Sequence, residues 1–525
     1  MLSPLRWGVY SLRAGCLPPM RRLSHSARSR RETEYIFPSP HRQLAVEERF
    51  PLSSLDLIVT QNYSTWALIF KLDHPSNIPL VTQTLRHAVQ ATLAQCRHMV
   101  GTIEEDAQGN FSIVKKPEST VPFVVGHLNG PSYAEIEQAG FASASLGDPA
   151  QFTIPGMTMA CHCPPDASPR ISGYQLTFIP GGFVFTVHKH HFAMDVTGTT
   201  SLIHQIAGHS NALLRGTPPP EWDDAWMDRA RFISPPAAEA DQVPAPPPAP
   251  RHPDWQPCSW LLFHIPQGQL DAIKRHARPT TGWISTYDAL TAFLWRVLSR
   301  NRARIYHPDL SAPAIFLESI NMRRRCKFPP RLPSRIMLPP PTLTIFPTVD
   351  PPLSMRYQGN VLSGGLSFLH PQPLTLGQVI SSETPLSVLA TFIREITQSV
   401  APQSIEDTIA TMTPIRDKSA LNVRLDSVPP MSLAVTDWRD ANMCGVDFGF
   451  GRPAAARQLA DTVVENMMMI YPRRSVGAGE EAALEVVLPF ETAHVDLLLA
   501  DVEMKRVATF LGVEGSRSGE GSLQL

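Results

Sequence analysis

The segment His188-Lys189-His190-His191-Phe192-Ala193-Met194-Asp195-Val196-Thr197-Gly198 gathers three imidazoles, an amine and a carboxylate in one short stretch. An imidazole, whose ordinary pKa is about 6.5, accepts a proton readily at neutral pH. A carboxylate four residues on could fix the loop or orient the ring, directly or through a partner. Metal binding is the rival reading. Along a strand His188 and His190 share one face and His191 points to the other, so the three do not converge on one ion. The residues alone leave open which imidazole would act as the base; Asp195 stands four residues past His191.

A second constellation is Asp447-Phe448-Gly449-Phe450-Gly451, preceded by Trp438-Arg439-Asp440. Asp-Phe-Gly occurs in protein kinases, but no Gly-x-Gly-x-x-Gly loop, Val-Ala-Ile-Lys strand or His-Arg-Asp loop accompanies it, which excludes a kinase. Two glycines flanking an aromatic make a tight turn with close backbone approach, so Gly449 and Gly451 read as turn residues. Nucleophilic serine chemistry fares worse. Gly208-His209-Ser210-Asn211-Ala212 only approximates a nucleophile elbow and lies inside a predicted helix, and Gly130-Pro131-Ser132 lacks a flanking strand. Cys161-His162-Cys163 looks metal-like, yet one residue between cysteines is short for a zinc knuckle and no second pair follows. No metal is expected.

The elements that must position these residues are legible around them. Tyr174–Ile179 and Phe183–His188 read as strands joined at Pro180-Gly181-Gly182, a hairpin that delivers the histidines at its end. A helix from about Thr199 to Leu214 follows, with Leu202, Ile203 and Ile206 inward and Gly216 as its stop. Earlier, Leu85, Val89 and Leu93 form one stripe of a helix from about Val81 to Cys96. In the second half, Ser285 and Asp288 make a capping box before the helical run of Leu290, Phe293, Leu294, Val297 and Leu298. Near the end Ala483–Phe490 reads as a strand, and Thr492 caps a helix through about Leu511. Strands and helices mix without strict alternation, which fits a mixed-sheet α/β architecture.

At 525 residues the chain exceeds what one core sustains, so two domains are expected. A formal net charge of −1 argues against a nucleic-acid binder. No apolar run approaches the roughly 18 residues of a membrane span. Seven scattered cysteines point to a reducing compartment. Residues 1–35 form a basic leader expected to be disordered. Through Arg31 it is arginine- and serine-rich without an acidic residue, as mitochondrial transit peptides are. The expected division is then 36–217, a proline-rich linker over 218–257, and 258–525. A further proline-rich stretch at about 329–352 reads as a surface insertion or a retained intron.

Together these segments resemble the BAHD acyltransferase family, especially its fungal branch of trichothecene 3-O-acetyltransferases. His191 and Asp195 match its His-x-x-x-Asp motif, and Asp447 to Gly451 match Asp-Phe-Gly-Trp-Gly with Phe450 replacing Trp. Weaker matches are Pro51-Leu52-Ser53-Ser54-Leu55-Asp56 to the family's opening strand and Ser285-Thr286-Tyr287-Asp288-Ala289-Leu290 to a Ser-Thr-Asn-Asp-Ala-Leu helix start. Asn321-Met322-Arg323 with Tyr357-Gln358-Gly359-Asn360 resembles its Asn-x-Arg and Tyr-Phe-Gly-Asn segments. Val196 departs from the usual Gly after the Asp, and the proline-rich insertion separates Arg323 from Tyr357 by more than the family pattern.

The resemblance implies two chloramphenicol-acetyltransferase-like mixed-sheet domains around a central tunnel, entered by acyl-coenzyme A from one end and the acceptor from the other. It implies His191 as base for a small-molecule hydroxyl or amine, in secondary metabolism, with acetyl the first acyl group to consider. No cofactor is held permanently; acyl-CoA is a co-substrate. Asp195 would pair with Arg323 and hold the loop. Asp447 to Gly451 would lie away from the chemistry and support the domain interface, Gly449 and Gly451 as support of the site and Asp447 also as a second catalytic candidate; Ser285 and Asp288 are assigned to coenzyme A binding. A monomer is expected, cytoplasmic or, if the leader is a transit peptide, mitochondrial. The alternatives are a carnitine-type acyltransferase and a catalytically inactive small-molecule-binding relative.

Overall fold

The structure is a computed structural model that describes residues 30–40, 45–107, 109–234, 237–238, 241–247, 249–325, 353–421, 424–474 and 482–516. The proline-rich stretch at 329–352 and most of the basic leader lie outside the described residues. The leader ends earlier than its composition suggests. Residues Arg30–Ile36 form an edge strand paired antiparallel with Val121–His127, and the Arg31 guanidinium reaches the Thr153 carbonyl at 2.7 Å. Basic composition alone cannot tell a free tail from an edge strand whose arginine finds partners in the fold.

A six-stranded sheet runs in the order Arg30–Ile36, Val121–His127, Ser172–Ile179, Gly182–His190, Tyr63–Lys71 and Ala455–Gln458. It is mixed, because Val121–His127 pairs parallel to Ser172–Ile179 and the other pairings are antiparallel. The expected hairpin forms at its centre in the register Ser172↔Lys189 to Ile179↔Gly182. Its turn uses Gly181 at φ 74°, a conformation glycine adopts without steric cost. The helices Ile78–Gln95 and Val196–Arg215 share a core with this sheet, burying Leu85, Val89, Leu93, Leu202, Ile203 and Ile206. Both stripes have the 3.6-residue spacing that puts one face of each helix inward.

The second large sheet has seven strands, in the order Leu362–Leu366, Phe316–Asn321, Leu433–Asp437, Met467–Ile470, Ala483–Glu491, Cys258–Pro266 and Thr509–Ser516. Its core is completed by the helix Thr286–Tyr306, which starts where the capping box requires. The Ser285 hydroxyl accepts from the Asp288 N–H, and the Ser285 N–H donates to the Asp288 carboxylate.

Two expectations need correction, and two further features describe how the chain is tied together. The helix through Leu511 is two short helices, Val495–Ala500 and Val502–Val507, followed by the strand Thr509–Ser516. Asp501 caps the second helix by accepting from the N–H groups of Glu503 and Met504, which restarts the chain direction. Ser54–Leu57 is one helical turn rather than part of an opening strand, because Ser53 and Asp56 form a capping box of their own. The linker is strapped down: the Trp226 carbonyl accepts from the Gln358 N–H at 2.7 Å, and Arg229 pairs with buried Asp56 at 3.2 Å. Finally, one strand crosses from the second half to the first sheet. Ala455–Gln458 comes from the second half yet pairs with Tyr63–Lys71 of the first sheet. There its buried Arg457 donates to the Phe141 carbonyl at 2.7 Å and pairs with Glu485 at 2.9 Å.

Candidate active site

His191 stands one residue past the end of the Gly182–His190 strand, where the chain turns toward the Val196–Arg215 helix. Strand alternation separates its neighbours onto opposite faces. His188 and His190 point into a cover formed by the preceding loop, with His188 Nδ1 2.8 Å from the Met157 carbonyl and His190 Nε2 2.9 Å from the Cys163 carbonyl. Lys189 and His191 instead line a cavity of about 980 Å³. Both sheets contribute to its walls, with Ser64 and Trp66 from the first and Ser319, Asn321 and Thr436 from the second.

The main chain of His191 is held at both ends. Its N–H donates to the Asn62 carbonyl at 2.9 Å, and its carbonyl accepts from Asn360 Nδ2 at 3.0 Å. Of the two ring nitrogens, Nδ1 is sealed from the cavity without a hydrogen-bond partner, which leaves Nε2 as the atom able to reach a ligand. Burial, reinforced by the nearby Lys189 ammonium, pushes the imidazole down to about 3, so the ring is neutral across the physiological range. Lys189 itself is buried, donates to the Met194 carbonyl, and is pushed down to about 7 by burial against the pull of Asp195.

Asp195 does not touch the imidazole. It caps the Val196–Arg215 helix by accepting from the Gly198 N–H at 3.0 Å, and it accepts from the Val361 N–H at 3.1 Å. Arg323 grips it with two bonds, 2.6 Å to Oδ2 and 3.0 Å to Oδ1, and also donates to the Tyr357 and Gly359 carbonyls. Both partners are essentially unexposed, at 1% and 0%. Burial alone would raise the carboxyl pKa, but Arg323 and the two N–H groups outweigh it and hold it below the usual range. Asn321 closes the arrangement by accepting from the Arg323 N–H and donating to Thr197 Oγ1. The product is a rigid turn, built from two distant parts of the chain, that aims His191 at the cavity.

Three assigned residues stand elsewhere. Asp447 is outside the cavity lining. Its carboxylate accepts from the Gly449 N–H at 2.8 Å and pairs with half-exposed Arg215 at 3.1 Å, so it cannot serve as a second catalytic group in this arrangement. The turn it opens clamps the far end of the helix that Asp195 begins: Ser210 Oγ donates to the Phe448 carbonyl at 2.6 Å, and Phe448 packs against Phe70. Gly449 lies at φ 90°, where a Cβ would sit 2.8 Å from Leu214 Cδ1. Gly451, also left-handed at φ 129°, completes the turn. Ser285 and Asp288 cap their helix, Asp288 pairs with Arg394 at 2.6 Å, and neither lines the cavity. Among the described residues no group of three metal-ligating side chains converges. Sequence reading missed Asn62, whose contact with His191 no local pattern announces, and gave Lys189 no role.

The buried histidines predict acid sensitivity. His188 and His190 are pushed down to about 4, in both cases mainly by burial. The unfolded chain takes up their protons near pH 6.5, so between about 4 and 6.5 the unfolded state binds more protons than the fold. Stability therefore rises with pH through that window, by up to about 1.4 kcal/mol per pH unit for each group. Thermal melts should show Tm falling from pH 7 to pH 5; a flat Tm would contradict neutral, buried rings.

A family model described as the trichothecene 3-O-acetyltransferase-like N-terminal domain matches residues 62–208, and the Transferase family model matches residues 347–495. Acetyltransferase FGR3 of Gibberella zeae is 36% identical over 481 residues, spanning 89% of this chain and 92% of that protein. Trichothecene 3-O-acetyltransferase TRI101 of Fusarium sporotrichioides is 24% identical, spanning 86% and 94%. Among solved structures, F. graminearum TRI101 complexed with coenzyme A and T-2 mycotoxin shares the fold, with a TM-score of 0.68 at 21% identity, covering 89% of this chain and all of that one.

Proposed function

The chain belongs to the BAHD transferase family: it is an acyl-coenzyme A-dependent acyltransferase, and we propose that His191 is the general base of direct acyl transfer. His191 Nε2 takes the proton of an acceptor hydroxyl or amine as the oxygen or nitrogen attacks the thioester carbonyl. The tetrahedral adduct collapses with cleavage of the carbon–sulfur bond, and the imidazolium returns the proton to the departing thiolate. No covalent enzyme intermediate is required, because the thioester is already activated and the cavity brings both substrates together. A lowered pKa keeps the resting imidazole neutral, which is the form that can accept the proton.

The observation that supports this reading is a neutral imidazole facing a cavity bounded by both sheets, its main chain fixed at both ends. In this reading Asp195 and Arg323 position the base and do no chemistry. The acceptor is a small molecule of fungal secondary metabolism, in keeping with the relatives, one of which is named for 3-O-acetylation of trichothecenes. A single chain supplies both cavity walls, so we take the enzyme to act as a monomer. No described helix is long and apolar enough to cross a membrane. The test is release of free thiol from acetyl-coenzyme A in the presence of a panel of alcohols and amines. Acceptor-dependent release is expected; none across the panel, with slow hydrolysis only, would count against the reading.

A further inference from the structure

Cys161-His162-Cys163 is left over by the transfer chemistry, and among the described residues no metal-ligating group of three forms around it. Its two thiols touch, with the sulfurs 3.4 Å apart. Both are half-buried and within reach of solvent, whereas Cys96, Cys258 and Cys444 are fully buried. Burial, together with the hydrogen bond to Cys161, pushes the Cys163 thiol up to about 12. Either thiol can donate in the contact, and the short separation places each sulfur within reach of the other.

The loop around the pair is tied directly to the candidate base. The Cys163 N–H donates to the Gln61 carbonyl at 2.7 Å, and the Cys163 carbonyl lies 2.9 Å from His190 Nε2. Asn62 Nδ2 donates to the Met159 carbonyl at 2.9 Å while the Asn62 carbonyl accepts from the His191 N–H. His162, between the two cysteines, lines the cavity.

We propose that Cys161 and Cys163, which flank the cavity-lining His162, are a reversible dithiol–disulfide site oxidised by glutathione disulfide, whose closure slows acyl transfer. The Cys161 thiolate attacks one sulfur of glutathione disulfide and releases one glutathione thiolate. The Cys163 thiolate then attacks the Cys161 sulfur of the mixed disulfide and expels the second. Two electrons pass from the cysteines to glutathione disulfide, and the two protons end on the two glutathiones. Bond formation draws the sulfurs together to about 2.05 Å. A ring closed across a single residue bends the backbone at His162, which moves that ring and the carbonyl that seats His190, next to His191. Rates of positioned reactions fall steeply with small displacements.

The effect on turnover rests on the acyltransferase reading; formation of the disulfide does not. The full chain is treated with excess glutathione disulfide, remaining thiols are alkylated, and the peptide holding residues 161–163 is weighed. It is expected to carry no alkyl groups and to be two hydrogens lighter, with turnover of acetyl-coenzyme A lowered roughly tenfold or more and restored by dithiothreitol. Cys161→Ser and Cys163→Ser, first shown by melting to be folded, should keep their turnover under the same treatment. A fully alkylated peptide would overturn the site, and a disulfide with unchanged turnover would overturn its effect. If the reduced wild type shows no turnover, the acyltransferase reading fails while the mass measurement still decides the site.

Discussion

Replacing His191 by alanine is expected to lower acyl transfer by roughly 10²–10⁴-fold, the range for losing a positioned general base, while the protein remains folded. The loss should appear in kcat, with KM for acyl-coenzyme A little changed, because the imidazole acts on the proton of the acceptor and not on the bulk of either substrate. Folding should tolerate the change for a structural reason. The two hydrogen bonds at this position, to Asn62 and from Asn360, belong to the main chain and survive the substitution. The ring itself brings a buried Nδ1 with no partner, so truncation removes an unsatisfied polar atom along with some packing. Steady-state kinetics with a parallel melt check both halves. Near wild-type turnover in the purified variant would remove His191 from the mechanism.

Asp195→Ala should behave in the opposite way and damage stability first. It strips the counter-charge from Arg323, which has no exposure, and leaves the Gly198 and Val361 N–H groups without acceptors. Breaking a buried pair from one side costs about 3–5 kcal/mol. That loss should appear as a lower Tm accompanied by reduced turnover, because the turn aiming His191 is released. The pair's own net contribution is a separate quantity. The double variant Asp195→Leu with Arg323→Met removes both charges together and should recover much of the lost stability without recovering full activity, since apolar side chains can fill the volume but cannot pin the loop. An Asp195→Ala protein that melts like the wild type would show that the pair does not hold the site.

How far the sequence alone reached differed from element to element. The hairpin before His191, the helix after Asp195 and the capping box at Ser285 were legible because each depends on residues within a turn or two of one another: alternation along strands, a 3.6-residue stripe, a serine followed three residues later by an acid. The same locality misled where a pattern had two solutions. A helical run after Thr492 is cut by Asp501 acting as a new cap, and Asp56 sits in a capped turn where a strand was expected. The turn read from Gly449 and Gly451 forms and clamps a helix end, and Asp447, a catalytic candidate through the resemblance alone, is spent on that turn.

By itself, then, the sequence determined the histidine at a strand end, the helix that follows it, the two-sheet class and, through the resemblance, the family chemistry. The family resemblance named Arg323 as the partner of Asp195; the tertiary structure gives the two-bond geometry that joins them across 128 residues. Only the tertiary structure decided that Asn360 seats the His191 carbonyl from 169 residues away, and that a strand from the second half completes the first sheet. Burial decided the rest: the lowered pKa of His191 comes mainly from desolvation by the surrounding protein, and desolvation belongs to an environment rather than to a residue. Local order follows from neighbours in the chain, whereas charge state and alignment follow from neighbours in space.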